Sequence, residues 1–447
     1  MLSLLLFYSF QFISIFLGVF KNPVFLIAGY FTVYFLYHDS RWWFTSAASF
    51  SYSFVFSVAI LAFAFLTKKS EESVFKHGPV ILMILLGILY LMTNLWAIAP
   101  ELHAESTDDF IKLILISIAS IFLVKNKRDF DIVVWAYVIG CTYIGYYIQL
   151  FGRSDGRVYG VGMVDSPDIN DLAALLTIGA YFSLYLFWKS KLAIKPIVVV
   201  CGALILNGIV LINSRGAFLA ILVGGLWFVF QMFKSNVNIS KKNLKLAGLC
   251  FVGLIGLAIV IDQSAINRFL SIKTQSQLTT EVETGSTRVF FWKASIQMST
   301  DYPMGAGSNG FLTLSPYYIP ENVATGESRN RAVHSSWFQA LTEVGYLGLG
   351  IFILMIMWSF SYLKKLKKRL TDSTLTNQFV LVVCVESALI AYLTAITFID
   401  RFRAVVLYIL IAMVVMLFRV IMFDKESNSI SEQKSEASIK PRRRAIQ

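Results

Sequence analysis

The stretch "TNQFVLVVCVESALIAYLTAITF" (376–398) decides the fold. Its 23 residues carry a single charge, Glu386. A helix needs roughly 20 apolar residues to cross a hydrocarbon core about 30 Å thick. In lipid the backbone must satisfy its own hydrogen bonds, so this run reads as a membrane-crossing helix. A carboxylate in mid-span is costly and needs a partner. The sequence assigns Glu386 none.

Runs of the same kind recur at 48–66, 78–97, 109–124, 130–150, 170–188, 196–213, 216–233, 244–262, 337–360 and 402–422. Two shorter pieces, 2–20 and 24–37, precede them. Lys21-Asn22-Pro23 splits these two, because proline disfavours helix at the residue before it; one of the pair is a candidate re-entrant segment. The expected fold is an all-α polytopic membrane protein with about 12 transmembrane helices (range about 11–13). The composition agrees: 57% of the 447 residues are hydrophobic and 15% charged. The first run has no basic leader and no small-residue cleavage site, so no cleavable signal peptide is expected. Cys141, Cys201, Cys250 and Cys384 all fall inside apolar runs, without metal-ligand spacing, and read as small hydrophobes.

The net charge of +12 does not point to nucleic acid. Its lysines sit in short loops: Lys68/Lys69/Lys76, Lys125/Lys127, Lys189/Lys191/Lys195, Lys234/Lys241/Lys242/Lys245 and Lys364/Lys365/Lys367/Lys368. Alternating spans put all of them, and the tail arginines 442–444, on one side. By the positive-inside rule that side is the cytoplasm. The expected organisation is a membrane domain over 1–422 and a disordered cytoplasmic tail over 423–447. A long external loop, 263–336, joins spans 244–262 and 337–360. Long loops between spans more often carry function than linkage.

On the opposite side the basic residues change identity. There they are mostly arginine: Arg41, Arg153, Arg157, Arg215, Arg268, Arg288, Arg329, Arg331, Arg401 and Arg403. Topology does not ask for that choice. Arginine's planar fork binds phosphate through two parallel bonds and stays charged when partly desolvated. The bias therefore suggests a phosphate held at headgroup level, of which a lipid-linked pyrophosphate is one example. Ordinary pairing with Asp155, Asp165, Asp168, Asp301 or Asp400 is the plain alternative for any single arginine. Arg215 is the hardest to explain that way, because "NSRGAF" leaves almost no turn between two spans. Arg288 opens a short helix expected to run to Met298. Arg401 and Arg403 read as snorkelling anchors.

His334 is the only histidine in the long loop, at the threshold of a span. Four scattered histidines make no metal cluster, and "DSPDIND" (165–171) lacks the spacing and glycine of a calcium loop. No metal and no cofactor are expected. Without a metal an acceptor hydroxyl needs a protein base, and histidine is the usual one near neutral pH. The plain alternative is a polar residue at a helix end. Glu343, nine positions on, would lie about 13 Å deeper on a regular helix. It could not then touch His334 and would need a partner of its own.

Five pieces together resemble the O-antigen ligase superfamily: "NLWAIAP" (94–100), "GRVYGVGMVDSPDINDLA" (156–173), "NSRGAFLA" (213–220), "TRVFFWKASIQMSTDYPMGAGSNGF" (287–311) and "HSSWFQALTEVGYLGL" (334–349). They follow the family's order. "YHDSRWW" (37–43) and "GRVYG" look closest to its exosortase-associated O-glycosylation ligase branch. The resemblance implies a GT-C-like bacterial inner-membrane enzyme with its active site facing the periplasm and its C-terminus in the cytoplasm. It would transfer a glycan from undecaprenyl pyrophosphate to an acceptor hydroxyl, with inversion and without metal. It implies that Arg215 and Arg288 bind and stabilise the pyrophosphate and that Arg157 assists. Arg331 is a further candidate for the phosphate. His334 would activate or orient the acceptor, with Glu343 and Arg153 as supporting candidates. The acceptor, whether lipid A–core, another glycan or a protein hydroxyl, stays open between ligase, polymerase and protein O-oligosaccharyltransferase. "SSW" stands after the histidine where many relatives have asparagine. A transporter or flippase is the competing class. It would call for internal repeats with ionisable or helix-breaking sites at the midplane, and none is visible.

Overall fold

The computed structural model of the chain describes residues 2–67, 73–154, 158–166, 168–237, 242–260, 287–323, 325, 328–371 and 375–423. Among them fifteen α-helices follow one another: α1 Leu2–Phe20, α2 Val24–Leu36, α3 Tyr52–Leu66, α4 Gly78–Met92, α5 Pro100–Leu123, α6 Lys127–Phe151, α7 Ile169–Lys189, α8 Lys195–Ile212, α9 Arg215–Lys234, α10 Lys242–Val260, α11 Arg288–Asp301, α12 Gly310–Tyr318, α13 Ser336–Leu370, α14 Thr376–Ile396 and α15 Val405–Met422. The apolar runs read from the sequence fall on α1–α10 and α13–α15, residues 261–262 lying outside the described residues. Nine described helices are long and apolar enough to span a membrane; α2 and α3 are apolar but shorter. The protein is an all-α, multi-pass membrane protein. The tail beyond residue 423, expected to be disordered, lies outside the described residues.

The bundle has an inside and a lipid-facing outside. The spans of α14 and α15 are 89% and 83% buried, whereas those of α8 and α9 are each 28% buried. The opening stretch is thus the central helix, packed on α9, α7 and α13. That explains its apolarity on all sides. α1 points Leu5, Phe12, Phe16 and Phe20 outward, as expected of an edge helix in lipid. Small residues let backbones close in where lipid offers no hydrophobic drive between helices. At the α6–α8 crossing a Cβ on Gly145 would lie 2.3 Å from the Leu204 carbonyl oxygen.

Glu386 has its partner. Lys367 Nζ, near the end of α13, donates to both carboxylate oxygens at 2.8 and 2.6 Å. Lys367 is therefore more than a topology signal. Both side chains are largely buried, at 14% and 4% exposure. Removing one partner of such a pair costs about 3–5 kcal/mol, while removing both can be close to neutral. Lys367→Met should accordingly lower the unfolding temperature in detergent, and Lys367→Met/Glu386→Gln should recover most of the loss. A double variant as unstable as the single one would rule out this pairing as the cause.

Two expectations need correction. α13 is not one regular helix from 337: it breaks at Gly345 (φ 67°, ψ −168°), leaving a short outer piece over 336–344 and a long crossing piece that reaches Leu370. Arg401 and Arg403 are not snorkelling anchors. Arg401 is 8% exposed and sits 3.0 Å from Asp165 and 3.4 Å from Asp171, and Arg403 pairs with Glu343 at 3.1 Å. A guanidinium that finds carboxylates inside has no need to reach for the headgroups.

Between α10 and α13 the described chain begins again at residue 287. α11, α12 and the following loop close over a small apolar core of Phe291, Met298, Ala306, Phe311, Ile319 and Val333. Arg329, one of the arginines singled out above, is used here structurally. Its guanidinium donates to the carbonyls of Ile319, Pro320 and Val323. This subdomain is tied to α13 through backbone bonds, from Ala306 N to Thr342 O (2.8 Å) and from Gly307 N to Glu343 O (3.0 Å).

Candidate active site

His334 stands where the subdomain returns to the bundle. Its backbone is in the left-handed region, φ 55°, which is unusual for a residue with a side chain. What holds it is Asp400, on the connection between α14 and α15. One carboxylate oxygen accepts from His334 N and the other from Ser335 N, both at 2.9 Å. These N–H groups lie just before the first turn of α13, where a helix end favours an anion. Ser335 occupies the capping position, yet its side chain makes no capping bond. Asp400, from another segment, instead holds the two amides that precede the helix.

The imidazole is not bonded to the carboxylate. Nδ1 lies 3.9 Å from Asp400 Oδ2, beyond hydrogen-bond range. The ring rests near Phe291, with centroids 6.2 Å apart. Burial, together with the positive charges of Arg288 and Arg331, pushes the His334 pKa down to about 4. A ring with so low a pKa is neutral at pH 7, the form that can accept a proton. Burial pushes Asp400 up to about 6, against the two N–H bonds that favour its charged form.

The arginines gather around the same connection. Arg288 is the first residue of α11 and donates from Nη1 to the Phe398 carbonyl at 2.9 Å. Arg331 is fixed through its backbone N–H to Ser315 Oγ at 2.9 Å. Arg215 is the first residue of α9, after a turn of two residues in which Asn213 takes φ 57°. Its neighbour Gly216 backs onto Phe398, whose ring would be 3.6 Å from a Cβ there. Arg288 and Gly216, the residue after Arg215, therefore both meet Phe398, each at a helix N-terminus. Trp292 and Phe338 stack at 5.6 Å and close the site on the α11 side.

The remaining candidates fall elsewhere. Arg153 donates to the carbonyls of Val210 and Leu211 at the end of α8, a cation on a helix C-terminus. Arg157 lies outside the described residues. Glu343 accepts from Tyr90 OH and Gln339 Nε2, each at 2.9 Å, and pairs with Arg403. It is part of the support beneath His334 and away from the arginines above. No group of three or more His, Cys, Asp or Glu among the described residues could hold a metal ion.

Residue reading missed the centre of this arrangement. Asp400 entered only as one possible partner for an arginine, yet it fixes the histidine. The signal was "IDRFR" (399–403), three charges in the short connection between two highly apolar helices.

Fold and site together define a polytopic helical membrane protein with an arginine-lined histidine at one end of its bundle. Residues 200–353 match the family model described as O-antigen ligase. The resemblance to the O-antigen ligase superfamily is borne out, and with it the general function of that family, ligation or polymerisation by membrane enzymes of glycosyltransferase type. The matched segment contains Arg215, Arg288, Arg331, His334 and Glu343 and stops short of Asp400. No curated protein matches the chain.

Proposed function

We propose that the protein is a bacterial inner-membrane glycosyltransferase acting at the periplasmic face. It takes a glycan from undecaprenyl pyrophosphate and passes it to an acceptor hydroxyl, inverting the anomeric centre. The observation that carries this reading is the placing of His334, held by its backbone on Asp400 beside Arg288 and Arg331. Fixed cations suit a leaving diphosphate, because they stabilise charge where it develops. A neutral imidazole suits an acceptor that must lose a proton.

In the step itself the acceptor oxygen attacks the anomeric carbon from the face opposite the diphosphate. The new C–O bond forms as the bond to the diphosphate oxygen breaks. The acceptor proton goes to His334, and the bonding pair leaves with the diphosphate onto Arg288, Arg215 and Arg331, with Arg157 assisting. The arginines that weaken His334 as a base are those the donor would neutralise. Docking of the diphosphate therefore strengthens the base at the moment it is needed.

The test is transfer from a purified undecaprenyl-pyrophosphate glycan to a panel of lipid A–core, lipid-linked glycan and protein acceptors. The productive acceptor distinguishes ligase, polymerase and protein glycosylation. Arg288→Ala should lower turnover by about 10²–10³-fold, the cost of losing one donor aimed at a developing negative charge. Arg288→Lys should recover only part of that, since a point charge cannot make the two-pronged contact. EDTA should leave the rate unchanged. Full turnover in Arg288→Ala would remove the diphosphate role from this residue, and inhibition by EDTA would reject the metal-free step.

A further inference from the structure

Gly305, Ala306, Gly307 and Ser308 form a short run that is fastened on both edges. One edge is bonded to α13 through Ala306 N and Gly307 N. The other edge meets the connection between α4 and α5 and the start of α5. Trp96 Nε1 donates to Gly305 O at 3.1 Å, and Ile98 N donates to Ala306 O at 3.0 Å. The hydroxyls of Ser106 and Ser308 share a bond at 2.9 Å. Two stretches that the sequence left without a role, "NLWAIAP" (94–100) and the glycine-rich end of 287–311, thus meet each other. The run belongs to the subdomain that carries the site. Ala306 packs in its core with Phe291 and Val333. Phe291 stands three residues after Arg288 on α11, and Val333 immediately precedes His334.

His103 closes this seam. It lies in the first turn of α5 and is fully buried. Ser308 N donates to its Nδ1 at 2.9 Å, so Nδ1 carries no hydrogen. Nε2 lies 3.1 Å from Tyr90 O, a group that can only accept, so Nε2 carries the hydrogen. One neutral tautomer alone satisfies both bonds. A second proton would go to Nδ1 and point at the Ser308 N–H, one donor against another. The ring has little room to turn away. Its centroid is 4.7 Å from that of Tyr90, and a Cβ on Gly307 would lie 3.2 Å from the imidazole. The ionisable groups that face it are Tyr90 from α4, Glu343 from α13 and Arg403 from the connection between α14 and α15. Glu101 and Glu105, on its own helix, are exposed, and residues 305–308 bring none. Burial pushes the His103 pKa below the ordinary histidine value, and Arg403 adds to this, while the bond to Tyr90 O and the charge of Glu343 oppose it.

We propose that His103 is a positioning residue that works as a pH-sensitive latch: as the neutral Nε2–H tautomer it holds the subdomain bearing Arg288, Arg331 and His334 onto the α4–α5 side of the bundle, and its protonation frees residues 305–308 from that side. The latch rests on the bonds above; its consequence for rate rests on the transfer reading. The folded protein resists protonating this ring. The latch is therefore closed at and above about pH 6.5, the ordinary histidine value, and opens as pH falls through the lowered folded value. An open seam lets the subdomain shift, and a misplacement of about 1 Å can cost on the order of a hundredfold in rate.

The test uses the full chain in nanodiscs. Nitrogen NMR of histidine-labelled protein, with the His103 signals assigned by their loss in His103→Gln, should show the Nε2–H tautomer near neutral pH. Amide exchange supplies a readout that needs no transfer. In the wild type, protection at Ala306, Gly307 and Ser308 should fall, relative to amides of α14, as pH drops below about 6.5. His103→Gln keeps one donor and one acceptor but does not titrate in that range, so its protection should stay flat. His103→Leu should lose protection at these amides even near neutral pH and lower kcat per folded molecule by about tenfold to a hundredfold. The wild-type titration needs no variant, so misfolding of His103→Leu does not decide the matter. His334 and Asp400 are intact in His103→Gln, so an acid loss of protection that persists there belongs to them and overturns the proposal. The Nδ1–H tautomer, or wild-type protection that stays flat down to acid unfolding, would overturn it too. A wild type that transfers nothing, while the amides follow the expected pattern, would instead sink the transfer reading and leave the latch standing.

Discussion

His334→Ala, folded and inserted like the wild type, should lose glycan transfer by about 10²–10⁴-fold, the range for removing a general base. The fold should survive because the bonds that fix this residue run through its backbone: its N–H to Asp400 needs no imidazole. Relieving a side chain of φ 55° also favours His334→Gly, which should be at least as stable as His334→Ala and equally inactive. The pH dependence gives a second test. In the free protein the ring charges only near pH 4, so kcat/KM should hold well below pH 6.5, the ordinary histidine value. The stability linkage has the same origin. The folded state resists protonating this ring, so its contribution is complete above about pH 6.5 and is lost as pH falls toward about 4. His334→Ala should flatten that part of the stability profile. If His334→Ala turns over normally with the productive acceptor, the histidine is only a helix-end residue and the base must be sought elsewhere.

Most of the fold was legible because lipid imposes a simple rule on sequence. A crossing segment must be long, apolar and helical, and 376–398 announces itself without its neighbours. The site was legible only in part, and the division is physical. Arg215, Arg288 and His334 stand out because each is a polar residue at the edge of an apolar run. Glu343 meets Arg403, Asp400 meets the amides of His334 and Ser335, and Arg401 meets Asp165 and Asp171, each across segments distant in sequence, and hydropathy carries no information about who meets whom. The regular-helix assumption misled in one place: the span from 337 was read as continuous, whereas the chain bends at Gly345. Glu386 was likewise a question without an answer until Lys367 was found beside it.

That bend carries the largest stability effect expected of a single methyl group. Gly345 has φ 67° and ψ −168°, a conformation that is essentially glycine's alone. A Cβ there would lie 2.2 Å from Pro303 O and 2.5 Å from the Met304 carbonyl carbon. Both are backbone atoms and cannot rotate away. The two strands of chain meet at this point, with Tyr346 N donating to Pro303 O at 3.1 Å. Gly345→Ala must therefore push residues 303–307 off the outer piece of α13. The cost should exceed about 3 kcal/mol, strain and lost packing together. Glu343 lies beside the displaced bonds, so its link to Arg403 and the turn at His334 should loosen as well, and transfer should fall with stability. Gly350 supplies the control. It lies five residues further along the same helix, and a Cβ there meets nothing within 4 Å. Gly350→Ala should be neutral or slightly stabilising, since alanine is the better helix former. Thermal unfolding in detergent and amide exchange at Ala306, Gly307 and Tyr346 separate the two. Equal unfolding temperatures for Gly345→Ala and Gly350→Ala would mean that the outer piece of α13 is not locked to residues 303–307, and that the support beneath the histidine lies elsewhere.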